Sequence, residues 1–346
     1  MLGWYNNRRA RRPMQPRAAG QPWFVLRRFV RRFIRTFILI WVLLIVGAWV
    51  GAPMALTYLS ISPRTWTTLK QWGAPIDTDQ HTLQILDPRD LPFPAEAVAF
   101  RTPDGLMLRG WFGRASATAP VILLGHGYPG NREFMIPHAT MLYQAGYSVL
   151  LFDWRSMGES EGGRVTFGLH ETDDLRGAID YLEARPDLTP PRIGALGVSM
   201  GAGVMLIGAA QEHRILAVVC DSTYPYLEPL FHQWDSVGLR IWPYRLVFAP
   251  VGYATANAML DGRLAQLNPI DYAAQISPNA LLLVQAEHDH NPLTPLAGGR
   301  QIYAAAQMPK EIWVSPVGDH ASILPADAAA YQRVVVGFFD HYLRQP

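Results

Sequence analysis

The segment Ile193-Gly-Ala-Leu-Gly197-Val-Ser199-Met-Gly201-Ala-Gly203 is the most informative stretch of the chain. Ile193 to Val198 is apolar and short, as expected of a buried strand. Ala202 to Gln211 is a run of small and apolar residues that reads as a helix. Gly197-x-Ser199-x-Gly201 lies between them. A G-x-S-x-G sequence at a strand-to-helix junction is the pattern of a sharp turn that lifts a serine hydroxyl off the sheet edge. Side chains two residues either side would collide there, which accounts for Gly197 and Gly201. The helix that follows directs its positive end toward charge developing on a substrate.

A serine becomes nucleophilic only when a base takes its proton. In this motif's architecture the partners follow in the order serine, acid, histidine. That leaves His213, His232, His288, His290, His320 and His341. His320 sits in Val317-Gly-Asp-His320-Ala, after the strand-like Glu311–Ser315 and before a last helix, where open α/β sheets place their chemistry. Asp289 follows the strand-like Ala280–Gln285 and is the preferred acid. Glu287 is its near neighbour, and Asp221, after Ile215–Cys220, competes for the role. For the oxyanion, one donor is the N–H of Met200. The other is sought in Gly125-His126-Gly127-Tyr128-Pro129-Gly130, where proline cannot donate and Tyr128 can. Gly125 and Gly127 let that loop approach a substrate closely. His126 precedes the serine and reads as an orienting residue.

The rest of the chain repeats the strand–helix alternation. Val98–Phe100 and Leu106–Phe112 flank an Asp104-Gly105 turn as a hairpin. Pro120–Leu124 and Tyr147–Phe152 are continuous apolar runs, as in strands buried on both faces. Helices are expected at Phe134–Gln144, from an N-cap at Thr172 to Pro186, at Pro295–Ala306 and at Ala326–Leu343. Alternation of this kind implies an α/β fold with a mostly parallel sheet covered on both faces. Residues 221–277 interrupt it with Tyr224, Tyr226, Phe231, Trp234, Trp242, Tyr244, Phe248 and Tyr253, and read as a cap or lid insertion.

Composition frames this reading. The chain has 346 residues, 49% of them apolar and 17% charged, which excludes a disordered chain. Its one cysteine, Cys220, excludes an internal disulfide. The net charge of +2 hides a split, because residues 1–36 hold ten arginines and no acid. Residues 37–59 are uncharged and apolar, and 23 residues suffice for a transmembrane helix. A cleaved signal peptide ending near Val50-Gly51-Ala52 is the alternative, but its apolar stretch would be unusually long. A nucleic-acid-binding arm would not explain why the arginines stop at an apolar span. The expected organisation is a basic tail (1–36), a transmembrane helix (37–59), a connector (60–94) and a catalytic domain (95–346). The positive-inside rule places the N-terminus in the cytoplasm and the catalytic domain outside it, with the basic tail against membrane lipids. No dinucleotide fingerprint or P-loop is present, and the consecutive Glu287-His288-Asp289-His290 cannot easily converge on one ion. No cofactor and no metal are expected.

From about Ala95 onward the chain resembles the α/β-hydrolase superfamily, and within it the serine aminopeptidase-like and BEM46-like membrane-anchored hydrolases. The resemblance rests on His126-Gly-Tyr-Pro-Gly130, Phe152-Asp-Trp-Arg-Ser-Met-Gly-Glu-Ser160, Gly197-Val-Ser-Met-Gly201, Glu287-His-Asp289 and Gly318-Asp-His320. It implies an eight-stranded, mostly parallel sheet with Ser199, Asp289 and His320 as a catalytic triad. Arg155-Ser-Met-Gly158 and Gln285-Ala286 depart from the common forms of the family without removing a catalytic group. Asp153 and Arg155 are expected to brace loops. The expected activity is hydrolysis of an ester or thioester of a small-molecule or lipid-like substrate with an apolar acyl group. Amide or peptide hydrolysis, and a non-catalytic membrane-anchored scaffold, are the alternatives.

Overall fold

The computed structural model describes residues 22–62, 87–189, 191–231 and 242–344, without the side chains of residues 22 and 242–248. The first 21 residues of the basic tail, most of the connector, His232 and Trp234 lie outside the described residues, as do the side chains of Trp242, Tyr244 and Phe248. The chain divides into two units at Gly51/Ala52.

In the first unit lies most of helix α1, Pro22–Ser60. Its most apolar 18-residue window has a mean hydropathy of 2.3 and no buried residue, so the helix is long and apolar enough to cross a membrane. Arg27, Arg28, Arg31, Arg32 and Arg35 lie on it, so part of the basic tail is helical.

The second unit is built on eight strands. They are β1 (Glu96–Arg101), β2 (Met107–Gly113), β3 (Val121–Gly125), β4 (Ser148–Phe152), β5 (Ile193–Val198), β6 (Ile215–Asp221), β7 (Ala280–Ala286) and β8 (Lys310–Ser315). The sheet order is β1-β2-β4-β3-β5-β6-β7-β8. β1 and β2 form the expected antiparallel hairpin, with Gly105 of its turn at φ 93°, a conformation natural to glycine. β2 meets β4 antiparallel, and every later pairing is parallel. The remaining helices are α2 (Ile136–Gln144), α3 (Glu171–Glu183), α4 (Met200–Gln211), α5 (Trp242–Met259), α6 (Leu296–Ala305), α7 (Ile323–Ala326) and α8 (Ala328–Leu343).

Apolar strands buried on both faces require two cores, and the molecule has two. Leu123, Leu150, Val218 and Leu283 point to the side of α3 and α4, where they meet Leu175 and Met205. Their strand neighbours Ile122, Leu151, Val219 and Val284 point to the side of α2 and α8, where they meet Leu142 and Phe339. Period-two alternation therefore sorts each continuous apolar run between two helical layers.

Several helix starts differ from the sequence pattern. α4 begins at Met200, two residues before Ala202, and the last helix begins at Ala328, after the separate α7. Two further starts have visible causes. The Phe134–Gln144 helix opens as a 3-10 turn, Arg132–Met135, because the Asn131 side chain accepts from the Glu133 N–H at 2.6 Å and starts the turn early. The helix expected from an N-cap at Thr172 begins at Glu171, with His170 at its N-cap. The Glu171 carboxylate closes the preceding loop by accepting from the N–H groups of Thr166 and Gly168, both at 2.7 Å.

Phe339 is fully buried on α8 and fills the space over Gly194 of β5. Phe339→Ala should destabilise the second unit by about 3–5 kcal/mol, measured as a lower urea midpoint with an unchanged m-value.

Candidate active site

Ser199 stands between β5 and α4 with φ 55° and ψ −118°, a conformation that non-glycine residues rarely adopt. The motif glycines make this turn possible. A Cβ on Gly201 would lie 2.2 Å from the Gly125 carbonyl oxygen, and one on Gly197 would lie 2.3 Å from the carbonyl oxygen of Gly201. The turn is thus pressed against the end of β3, where register pairs Gly125 with Gly197. Gly127 follows so closely that a Cβ there would be 3.3 Å from the Ser199 Cβ. The backbone entering Tyr128 therefore runs beside the serine. Met200 is the first residue of α4, and the first N–H groups of a helix have no intrahelical acceptor.

His320 Nε2 lies 2.9 Å from Ser199 Oγ. On the other side of the ring, His320 Nδ1 lies 3.1 Å from Asp289 Oδ2. The Asp289 carboxylate is fully buried, and its Oδ1 accepts from the Asn291 N–H at 2.9 Å. The structure thus brings Ser199, His320 and Asp289 into one hydrogen-bonded line. Glu287 is exposed. Asp221 is buried and faces elsewhere. Its Oδ2 accepts from the Tyr331 hydroxyl at 2.8 Å and its Oδ1 from the Ser222 hydroxyl at 2.9 Å.

Sequence reasoning missed Thr294. Its Oγ1 donates to Asp289 Oδ2 at 2.7 Å and accepts from His320 Nδ1–H at 2.9 Å, so it bridges the acid and the imidazole. Only the Thr294-Pro295 sequence opening α6 marked the place, and nothing in it points to a histidine 26 residues later. Ser222 was missed as well. It accepts from the Ala321 N–H at 3.1 Å and so ties the His320 loop to Asp221.

His126 is buried and neutral in its contacts. Nδ1–H donates to the Gly127 carbonyl at 2.8 Å, and Nε2 accepts from the Trp154 N–H at 3.3 Å. Burial lowers its pKa, which suits an imidazole that orients a loop. Asp153 is buried beside Arg132, and Arg155 pairs with Asp174 at 2.7 Å and with Asp104 at 2.9 Å. Both hold loops, away from the serine. Among the described residues no three His, Cys, Asp or Glu side chains converge as a metal-ligand set.

A pocket of about 170 Å³ opens over Ser199 and His320. Its apolar wall comes from Tyr128, Phe167, Met200 and Leu293, and from Tyr224, Leu227 and Leu230 of the segment between β6 and β7. The residues that line it are mostly apolar, with Ser199 and His320 among them, so the space suits an apolar substituent beside a polar centre.

The sequence profile described as "alpha/beta hydrolase fold" matches residues 120–258. YfhR of Escherichia coli K12, an uncharacterized protein, is 31% identical over 241 residues, covering 66% of this chain and 74% of YfhR. The chain belongs to the α/β-hydrolase family. The thiohydrolase aneE of Aspergillus aculeatus is 37% identical over 142 residues, covering 39% of this chain and 43% of that one. Among solved structures, the esterase Pf2001 of Pyrococcus furiosus superposes with a TM-score of 0.64 at 26% identity, over 76% of this chain and 97% of its own. The eight-stranded hydrolase sheet implied by the sequence is the one found, and among these relatives one is a thiohydrolase and one an esterase.

Burial raises the Asp221 carboxyl from 3.8 to about 6, against the opposing hydrogen bonds of Tyr331 and Ser222. A carboxyl raised in the folded state favours folding below its unfolded pKa, and that contribution is lost as pH rises through about 6. Asp221→Asn keeps an acceptor for Tyr331 and removes the buried charge. Its thermal midpoint should exceed that of the parent at pH 8, by up to a few kcal/mol in stability, and the gain should shrink at pH 5.

Proposed function

We propose that this protein is a serine hydrolase, anchored to a membrane by α1, that cleaves an ester or thioester bearing an apolar acyl group. The observation that carries the reading is the 2.9 Å and 3.1 Å line from Ser199 through His320 to Asp289, with Ser199 and His320 lining a mostly apolar pocket. Ser199 attacks the carbonyl carbon while His320 Nε2 takes its proton. Asp289 holds the Nδ1–H tautomer and stabilises the imidazolium. The N–H groups of Tyr128 and Met200 receive the negative oxygen of the tetrahedral intermediate. His320 then protonates the leaving alcohol or thiol, and water repeats the sequence on the acyl-enzyme. The acyl part lies among Phe167, Leu227, Leu230 and Leu293. Esterase and thiohydrolase relatives support carbon–oxygen or carbon–sulfur cleavage. The length and composition of α1 support the anchor, and the arginines at its start favour an extracytoplasmic catalytic domain. The ligands on this reading are an acyl substrate at Ser199 and lipids around α1.

Ser199→Ala should lower kcat by about 10⁶-fold on p-nitrophenyl esters and abolish labelling by a fluorophosphonate probe. A panel of esters of graded chain length beside aminoacyl anilides should show turnover of esters above anilides. Unlabelled, inactive but folded parent protein would instead point to a scaffold.

Thr294→Val removes the bridge and leaves the volume. It should lower kcat by about 10- to 100-fold, with the acidic limb of the pH–rate profile displaced, while Thr294→Ser should restore both.

A further inference from the structure

The last turn of α1 belongs to the same unit as the sheet. Thr57, Ile61 and Ser62 are buried there, and Gly252 of α5 lies so close that a Cβ on it would be 3.3 Å from the Thr57 hydroxyl. The terminal carbonyls of a helix have no partner within it and must find donors when buried. Three are satisfied locally. The Ser60 hydroxyl donates to Thr57 O at 2.7 Å, the Ile61 N–H to Tyr58 O at 3.3 Å and the Ser62 N–H to Leu59 O at 3.2 Å.

The next two carbonyls take their donors from the loops that wall the pocket. The Tyr128 hydroxyl donates to the Ser60 carbonyl. The Val165 N–H donates to the Ile61 carbonyl at 2.9 Å, two residues before Phe167. The Tyr128 and Phe167 rings then meet edge to face at 5.6 Å, and both line the pocket over Ser199. One helical turn thus fixes two neighbouring pocket walls, one of which carries a proposed oxyanion donor on its backbone.

We infer that the last turn of α1 is a positioning element of the oxyanion site and acts through the Tyr128 hydroxyl. This rests on the serine-hydrolase reading above. The physical reason is that the Tyr128 N–H and its phenol belong to one residue. Anchoring the ring at Ser60 limits the backbone torsions that aim the N–H, and an oxyanion donor acts only when it is already in place. Burial pushes the Tyr128 phenol pKa up, so the group remains a donor throughout the working pH range.

The test uses the full chain in detergent micelles. Tyr128→Phe keeps the backbone N–H and the pocket wall and removes the bond to Ser60. The expected result is a fall in kcat of about 10- to 100-fold on p-nitrophenyl butyrate with KM changed less than about twofold. Fluorophosphonate labelling should slow by a similar factor, because the phosphonyl oxygen uses the same hole. Parent kcat in Tyr128→Phe would overturn the inference. Ser199→Ala, run alongside, separates the two claims. Turnover retained by Ser199→Ala defeats the serine reading, whereas its loss beside an unaffected Tyr128→Phe defeats only the positioning role. A second variant, Ile61→Ala, loosens the same buried turn without touching the phenol. It should lower kcat several-fold alone and add nothing to Tyr128→Phe. Parent kcat in Ile61→Ala, or losses that multiply in the double variant, would overturn the role of the helix turn.

Discussion

The contact between Gly201 and the end of β3 governs the architecture of the site. Only hydrogen atoms fit between the first turn of α4 and the Gly125 carbonyl, and the same crowding forces Gly197. With that contact made, the β5–α4 turn cannot relax into ordinary helical entry, and Ser199 is held at φ 55°. The loop leaving β3 is then delivered beside the serine with no further adjustment. Parallel pairing extends the arrangement sideways. β6 adds Asp221 next to Val198, β7 adds the Asp289 loop beyond β6, and the loop after β8 brings His320 back over the serine.

The sequence was most legible where one residue type answers to one local demand. Apolar runs of five or six residues have a single low-energy role in an alternating chain, so the strands and their covering helices followed from periodicity. Gly197, Ser199 and Gly201 were legible for the same reason. Asp289 was preferred over Asp221 but not separated from it by pattern alone, because Asp221 ends β6 and Asp289 closely follows β7, and the difference lies in where the side chains turn. Asp221 meets Tyr331, 110 residues away in sequence. Thr294 was illegible because a threonine before a proline is ordinary in a loop, and its meaning comes only from the two groups it touches. The Glu171 helix start was hidden similarly: a carboxylate that accepts two backbone N–H groups from the preceding loop resembles any acidic residue in a first turn.

A continuous line of buried polar groups runs from Tyr331 to the loop that carries His320. Tyr331 donates to Asp221, Ser222 donates to the same carboxylate, and Ser222 in turn receives the Ala321 N–H beside His320. Each member is satisfied by the next, which is the condition under which a buried polar network stiffens a site and does not weaken it. Asp319 continues the theme at the surface. It accepts from the N–H groups of both His290 and His320, which joins the loop after β7 to the loop after β8. The Asp289 and His320 loops are therefore joined directly by the contact between those two side chains, through Thr294 and through Asp319.

The backbone at Ser199 sets stability and chemistry against each other at one position. A left-handed conformation of this kind costs a non-glycine residue on the order of 1–3 kcal/mol, and glycine avoids most of that cost. Sequence drift blind to turnover therefore runs downhill toward glycine at residue 199. A population of variants sorted for heat resistance alone would shed the hydroxyl there while keeping the fold around it intact. The serine in this chain stands against that gradient.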